Sequence, residues 1–165
     1  MAKSDSFFIR ASVTTNTSNY NQSEIDLGSF VNLGVSKSTI LRIHNVAASY
    51  FDSNLFSAPI LDAADAKISF QLTTQTQTAL VLPTDKSLVS SGSLIVKTGM
   101  TPSQDYDVAP QDWTQGYLVG TDSMFLGCDM NTGLDSGDVT IAIVMECTLE
   151  AATQANSVAL ALSQQ

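Results

Sequence analysis

The sequence predicts a single all-β domain, an antiparallel β-sandwich. Three observations lead to this class: apolar and polar residues alternate with a period of two, about nine strand-like segments follow one another, and turn-rich linkers separate them. The length of 165 residues is that of one ordinary domain. A chain of this size buries roughly 70% of its unfolded surface, so it can fold without a disulfide or a structural metal.

The alternation is clearest between Val139 and Leu149, where the odd positions are apolar and most even positions are polar. Such a period puts one face of a strand on a core and the other toward water or a partner. We therefore expect Ile141, Ile143 and Met145 to be buried. The other predicted strands are residues 7–14, 24–28, 39–46, 67–73, 78–82, 93–97, 116–119 and 124–128.

Three segments are less regular. Residues 47–66 fit a short helix or a long connection, and residues 101–113 are predicted as a long surface loop. The tail is rich in alanine, which permits a helix. Because Val158, Leu160 and Leu162 alternate like a strand, we expect an extended arm instead. The predicted organisation is thus a β-sandwich domain over residues 1–150 and a C-terminal arm over residues 151–165.

The charge pattern restricts the partners. Charged residues make up 14% of the chain, against about 25% in typical domains, and the net charge is −9. A weakly charged surface suits contact with neighbouring subunits, because burying an unpaired charge costs far more than burying a hydrogen-bonded hydroxyl or amide. The few basic residues are scattered singly, which argues against direct binding of nucleic acid or of an anionic membrane.

The sequence also indicates where the chain is made. Its polar start predicts no signal peptide, and no apolar run approaches the roughly 18 residues that a membrane span needs. We expect synthesis in the host cytoplasm and no membrane insertion. In that reducing compartment Cys128 and Cys147, both in strand-like segments, are predicted to be buried free thiols.

Catalytic chemistry is poorly represented, so we expect no enzyme activity. His44 is the single histidine and lies inside a predicted strand, where a structural role is expected. Phosphate-binding glycine loops, nucleophile elbows and zinc motifs do not occur. Glu146 and Glu150 are expected on the outer face of a strand, toward water or a partner.

One loop, residues 129–138, is rich in oxygen ligands. Asp129, Asn131 and Asp135 alternate with turn-forming glycines, and hard cations such as Ca²⁺ prefer oxygen-rich loops. The three side chains are therefore candidate Ca²⁺ ligands; no other cofactor is expected. The alternative is a plain connection whose Asn and Asp residues serve turn geometry.

Several features indicate contact with other subunits. Trp113 follows a proline-containing loop and is expected to anchor that loop on its own core or on a neighbour. The polar run Thr73 to Thr78 fits a strand end or a subunit-contact edge equally well. In the tail, Val158, Leu160 and Leu162 offer alternating side chains to a neighbour. The predicted contact residues are Val158, Leu160, Leu162 and Trp113.

The complete pattern resembles virion structural proteins that have a jelly-roll-like β-sandwich. The opening residues, Met1 to Arg10, and the closing residues, Ala159 to Gln165, look like predicted proteins of environmental viruses. The resemblance covers the full length and includes no diagnostic motif, so no functional residue follows from it.

This resemblance implies a self-assembling capsid protein, or a capsid-decorating protein, that contacts itself and other virion proteins. The acidic charge favours an outer layer, because a shell that touches packaged DNA needs basic residues. The alternative function is a carbohydrate-binding β-sandwich module, stabilised by calcium. Exposed aromatic side chains and glycan binding would distinguish that module from a structural subunit.

Overall fold

The computed structural model describes residues 4–17, 19–33, 37–56, 65–131 and 137–165. Within these residues the chain forms nine strands, one short 3-10 turn and one α-helix. In chain order they are β1 (Phe7–Thr14), β2 (Asn21–Asp26), β3 (Ser38–Phe51), β4 (Ala66–Thr73), β5 (Leu88–Val96), β6 (Ser103–Val108), the turn Pro110–Asp112, β7 (Tyr117–Val119), β8 (Ser123–Met130), β9 (Thr140–Ala152) and α1 (Gln154–Ser163).

The strands form two antiparallel sheets. One has the order β1-β9-β3-β7 and the other the order β2-β8-β4-β5-β6. With β6 set aside, the chain is one long hairpin whose arms pair as β1/β9, β2/β8, β3/β7 and β4/β5, and successive pairs lie in alternate sheets. Wrapping a hairpin in this way produces the jelly roll. The strand order therefore confirms the predicted jelly-roll-like sandwich.

The core lies between the two sheets. On β9 the side chains of Ile141, Ile143 and Met145 are fully buried, as the alternation predicts. Cys128 and Cys147 are buried free thiols in the same cluster, which confirms that prediction. Further large side chains that fill the core are Leu27, Leu41, Ile43, Ile68, Phe70, Leu72, Met124, Leu126 and Met130.

A bulge at His44 keeps β3 in phase with the core. The register with β9 passes from Ile43–Cys147 to Asn45–Glu146, so one residue of β3 is extra. Ile43 before the bulge and Val46 after it both reach the core, although they are three residues apart. The His44 imidazole Nε2 lies 2.9 Å from the Thr148 hydroxyl, which gives it the structural role that the sequence predicts.

Two surface segments differ from the sequence-based prediction. Residues 78–82 do not form a strand, because their backbone pairs with the side chain of Gln71 rather than with another strand. Residues 103–108 do form one, although residues 101–113 were predicted as a loop. This strand, β6, has few apolar side chains, since it lies at the edge of its sheet beside β5.

The C-terminal segment is helical, so the prediction of an extended arm is wrong. The Thr153 hydroxyl caps the helix by accepting a bond from the Asn156 N–H at 3.3 Å. Alanine, the residue that favours a helix most, recurs through α1. In residues 47–66, the first part to Phe51 belongs to β3, and residues 57–64 lie outside the described chain.

Neither α1 nor any other described helix has the length and apolar character that crossing a membrane requires.

The buried row on β9 gives the first prediction. Replacing Ile143 by Ala leaves a cavity in a closely packed interior and should lower the free energy of unfolding by about 2–5 kcal/mol. Val144, the next residue, is half-buried on the outer face, so Val144→Ala serves as the control and should cost less than about 1.5 kcal/mol. Urea unfolding of both variants measures the difference, and equal losses would contradict the assignment of faces.

Candidate subunit-contact site

The helix α1 packs against β3 and β7, and two of its apolar side chains lie on the side that faces away from the domain. Ser157 and Gln164 are buried in the contact, and Leu160 is half-buried. Val158 and Leu162 instead point outward, with 43% and 62% of their surface exposed. The helix contains no charged residue. Val158 and Leu162 are therefore open to solvent, while Ser157, Leu160 and Gln164 hold the helix to the domain.

Gln164 holds the end of the helix to β7, which is an edge strand. Its Nε2 donates to the Leu118 carbonyl, and its Oε1 accepts from the Gly120 N–H at 3.0 Å. The Thr74 hydroxyl in turn donates to the Gln164 backbone carbonyl at 3.0 Å. The carboxamide thus takes the place that a neighbouring strand would have, and it satisfies backbone groups that the sheet leaves unpaired.

A buried ion pair lies beside this helix on the outer face of the first sheet. The Arg42 Nε is 2.5 Å from the Glu150 Oε1, and the Arg42 Nη2 is 3.0 Å from the Glu150 Oε2. The Arg42 Nη1 also donates to the Gln115 carbonyl. Glu150 is 1% exposed and pairs with Arg42 of its own chain, so the expectation that it faces water or a partner is wrong, whereas Glu146 is half-buried.

Arg42 and α1 line one cleft of about 320 Å³. Arg42, Gln115, Leu160, Ser163 and Gln164 are among its lining residues. Buried charges need full pairing, because an isolated one costs several kcal/mol. The bidentate bond to Glu150 and the bond to Gln115 meet that need, so the outer face under α1 is ordered by polar contacts.

The sequence alone did not reveal this arrangement. Arg42 and Glu150 are 108 positions apart, and they meet because β3 and β9 pair in one particular register. Gln164 gave no signal, because a glutamine near a chain end is normally solvated. The sequence does contain one indication of this pair: Arg42 and Glu150 both occupy outer-face positions of long predicted strands.

The four predicted contact residues are placed differently. Val158 and Leu162 are exposed, and Leu160 lies against the backbone at Gly120. Trp113 follows the 3-10 turn and is 55% exposed, so its indole is not buried in its own core. The structure thus brings three of these residues together on one helix and leaves Trp113 on a separate loop. Their role in subunit contacts stays a prediction.

The oxygen-rich loop is described only in part, because Asp135 lies outside the described residues. The Asp129 carboxylate accepts from the Met130 N–H at 2.7 Å, and the Asn131 amide oxygen accepts from the Lys67 N–H at 2.6 Å. The Asp138 carboxylate accepts from the Thr17 N–H at 2.7 Å. Among the described residues no group of three or more His, Cys, Asp or Glu side chains is placed to hold a metal ion.

Burial makes the two thiols inert. Desolvation in the core raises the pKa of Cys128 and of Cys147 to about 12. A thiol with that pKa is protonated at neutral pH, and only the thiolate is nucleophilic. Neither cysteine is therefore placed for catalysis or for reaction with solutes.

The ion pair gives the second prediction. Replacing Glu150 by Ala leaves the guanidinium of Arg42 buried without its carboxylate and should lower the free energy of unfolding by about 3–5 kcal/mol. The double variant Arg42→Met, Glu150→Leu removes both charges and should recover most of that loss. Urea unfolding of the single and double variants tests this, and a single variant that loses less than about 1 kcal/mol would contradict the burial of the pair.

The loop gives the third prediction. If Asp129, Asn131 and Asp135 hold Ca²⁺, a chelator should lower the melting temperature and added Ca²⁺ should restore it, because a ligand that binds only the folded state stabilises it. Scanning calorimetry with and without chelator makes the measurement. An unchanged melting curve would mean that the loop is a plain connection.

Comparison with solved structures finds distant similarity to polyomavirus VP1. VP1 of Trichodysplasia spinulosa-associated polyomavirus, in complex with sialylated glycooligomers, is 9% identical with a TM-score of 0.42, over 87% of this chain and 95% of that one. The same protein with 3'-sialyllactose gives 0.43 at 9% identity, over 88% and 95% of the two chains.

VP1 of New Jersey polyomavirus, without ligand, has a TM-score of 0.42 at 9% identity and covers 82% of both chains. No protein-family profile and no curated protein matches this sequence. The fold of the chain accordingly rests on its own strand order and registers.

Proposed function

We propose that this chain is a non-enzymatic structural subunit of a virus particle, which assembles with copies of itself and with other virion proteins. The observation that supports this most is the orientation of α1. Val158 and Leu162 face outward, although Ser157 and Gln164 are buried. These two exposed apolar side chains forgo roughly 1.5–3 kcal/mol each, while the polar contacts of Gln164 hold the helix in this orientation. A neighbouring subunit that covers the outer face of α1 would recover this free energy.

The fold is consistent with this role. Jelly rolls occur in viral capsid domains, and also in lectins and cupins, so the fold alone does not select a function. The resemblance of the sequence to virion structural proteins favours the capsid class. The low content of charged residues favours a surface that neighbours cover.

The charge favours a particular position in the particle. Each copy has a net charge of −9, so two copies repel each other. Contact between them is least unfavourable at an uncharged surface, and α1 is such a surface. Packaged nucleic acid would be repelled as well. We therefore place the subunit in an outer capsid layer or in a decoration layer, away from the genome.

The carbohydrate-binding alternative could use one of the described clefts. Lys67, Ser69, Leu80, Asp129 and Asn131 are among the residues that line a depression of about 340 Å³. Among the described residues of this lining, none has an aromatic side chain on which a sugar ring could stack. Binding of the purified chain to a glycan array, together with a monomeric state at all concentrations, would support this alternative instead.

Assembly through α1 is the fourth prediction. Val158→Asp places a charge on the outer face of the helix and should reduce the assembled fraction strongly, because the charge would have to be desolvated in the contact. Gln154→Asp is the matched control. It adds the same charge to the exposed first turn of the same helix, where a carboxylate is favourable.

Sedimentation velocity and negative-stain microscopy measure the assembled fraction, and thermal melting checks that both variants are folded. Wild-type chain that stays monomeric at every concentration would overturn the proposed function. Equal assembly of Val158→Asp and wild type would remove α1 from the contact and leave the function to other surfaces.

A further inference from the structure

A surface segment, residues 78–82, has the composition of a strand but no strand partner. It contains Leu80, Val81 and Leu82, and no charged residue lies between Lys67 and Asp85. Leu80 is 41% exposed and Leu82 is 73% exposed. An exposed apolar run of this kind is a hazard for a monomer, because it recruits other chains.

This segment, which we call the docking segment, is held firmly by one buried side chain. Gln71 is 1% exposed; its Nε2 donates to the Ala79 carbonyl at 2.9 Å, and its Oε1 accepts from the Val81 N–H at 2.8 Å. The same Nε2 donates to the Tyr20 hydroxyl at 2.9 Å. The carboxamide therefore binds the docking segment as an adjacent strand would.

The opposite side of the docking segment is open. Ala79 and Val81 turn their bonded backbone groups toward Gln71, and successive residues of an extended chain present these groups to opposite sides. The N–H and the carbonyl of Leu80 thus point away from Gln71, and neither has a partner within the part of the chain that the structure describes. They form a short pairing edge at Leu80, next to the exposed side chains of Leu80 and Leu82.

Most sheet edges of this protein are protected against pairing. The edge strand β2 contains Glu24 and Asp26, and the edge strand β6 contains Asp105 and Asp107. Charged side chains on an edge discourage the addition of another strand. At the third edge, β7, the Gln164 side chain already bonds to the Leu118 carbonyl and the Gly120 N–H.

The fourth edge, β1, lacks these protections. Its single charged residue is Arg10, a cation in a strongly acidic protein. The Asn21 side chain donates to the Thr14 carbonyl at the end of the strand, but no described side chain bonds to the backbone of residues 7–13. Phe8 is 54% exposed on the same strand. Among the four edges, β1 is the one that an uncharged strand can join without meeting a carboxylate or the side chain of Gln164.

We propose that the docking segment pairs with the β1 edge of a second copy of this chain. The contact joins two different surfaces, so each copy can offer one and accept the other, and successive copies extend into a ring or a shell. Backbone bonds to Leu80 provide affinity, and the two leucines pack beside Phe8 of the neighbour. This inference rests on the proposed function and names a contact between its subunits.

Cross-linking tests the contact directly, and it is the fifth prediction. One variant contains Leu80→Cys, and two others contain Phe8→Cys or Ser12→Cys on β1. Because the native thiols are buried and have a pKa of about 12, the introduced cysteines are the reactive ones in folded protein. Mixing the Leu80→Cys chain with either β1 variant and a short thiol-specific cross-linker should give a covalent heterodimer, identified by mass spectrometry.

Lys97→Cys is the matched control, because Lys97 is exposed and follows β5 rather than β1. It should give no heterodimer with Leu80→Cys above the level of random collision. Assembly without any cross-link between Leu80 and β1 would overturn this inference and leave the proposed function standing. If the Leu80→Cys chain mainly cross-links to a second Leu80→Cys chain, the contact is a symmetric one between two docking segments. That result would also overturn this inference.

A second pair of variants separates the backbone from the side chain. Leu80→Pro removes the outward N–H and leaves the two bonds of Gln71 to Ala79 and Val81 in place. Leu80→Ala shortens the side chain and keeps that N–H. Both chains also contain Leu82→Cys, so that each can be cross-linked to the β1 variants. We expect the Leu80→Pro chain to give no cross-link to β1 and the Leu80→Ala chain to keep it. Equal cross-linking by the two chains would show that no strand is added.

Discussion

The structure depends on one constraint, the pairing of backbone groups at the edges of its two sheets. An open sandwich leaves four edges, and each presents N–H and carbonyl groups that need partners. In this chain glutamine carboxamides supply some of them: Gln111 pairs with both backbone groups of Val46, and Gln164 with Leu118 and Gly120. Gln71 does the same for residues 79 and 81, which lie outside the sheets. A carboxamide presents an N–H donor and a carbonyl acceptor side by side in one plane, as a strand edge does, so it can replace one residue of a missing strand.

This use of amides accounts for much of the composition. A strand edge is often protected from pairing by charged residues, and here carboxylates protect the edge strands β2 and β6. Elsewhere amides and hydroxyls do so without charge: Tyr106 and Gln104 bond the backbone of Ala48 where β7 no longer covers β3. The result is a surface that is ordered but weakly charged. Such a surface can be covered by a neighbour at low desolvation cost, which is the property that an assembling subunit needs.

The sequence predicted the strands that face the core and missed the parts that depend on the surface. Period-two alternation located β9 and β1 correctly, because one face of each is buried by the fold itself. It failed for β6, whose side chains are mostly polar because it lies at an edge, and for residues 78–82, which have a strand's composition but pair with a side chain. The pair Arg42–Glu150 could not be anticipated either, since it follows from the register of β3 and β9.

The orientation of α1 follows from the same constraint. Turning the helix by half would bury Val158 and Leu162, each worth at most roughly 1.5–3 kcal/mol. It would also leave the Leu118 carbonyl and the Gly120 N–H without Gln164, at about 1–3 kcal/mol for each unsatisfied group. The Thr74 hydroxyl would lose the shorter of its two bonds. It would further uncover the cleft in which Arg42 is buried. Polar pairing therefore fixes the helix with its apolar side outward, and a neighbouring subunit can recover the apolar term without disturbing any of these bonds.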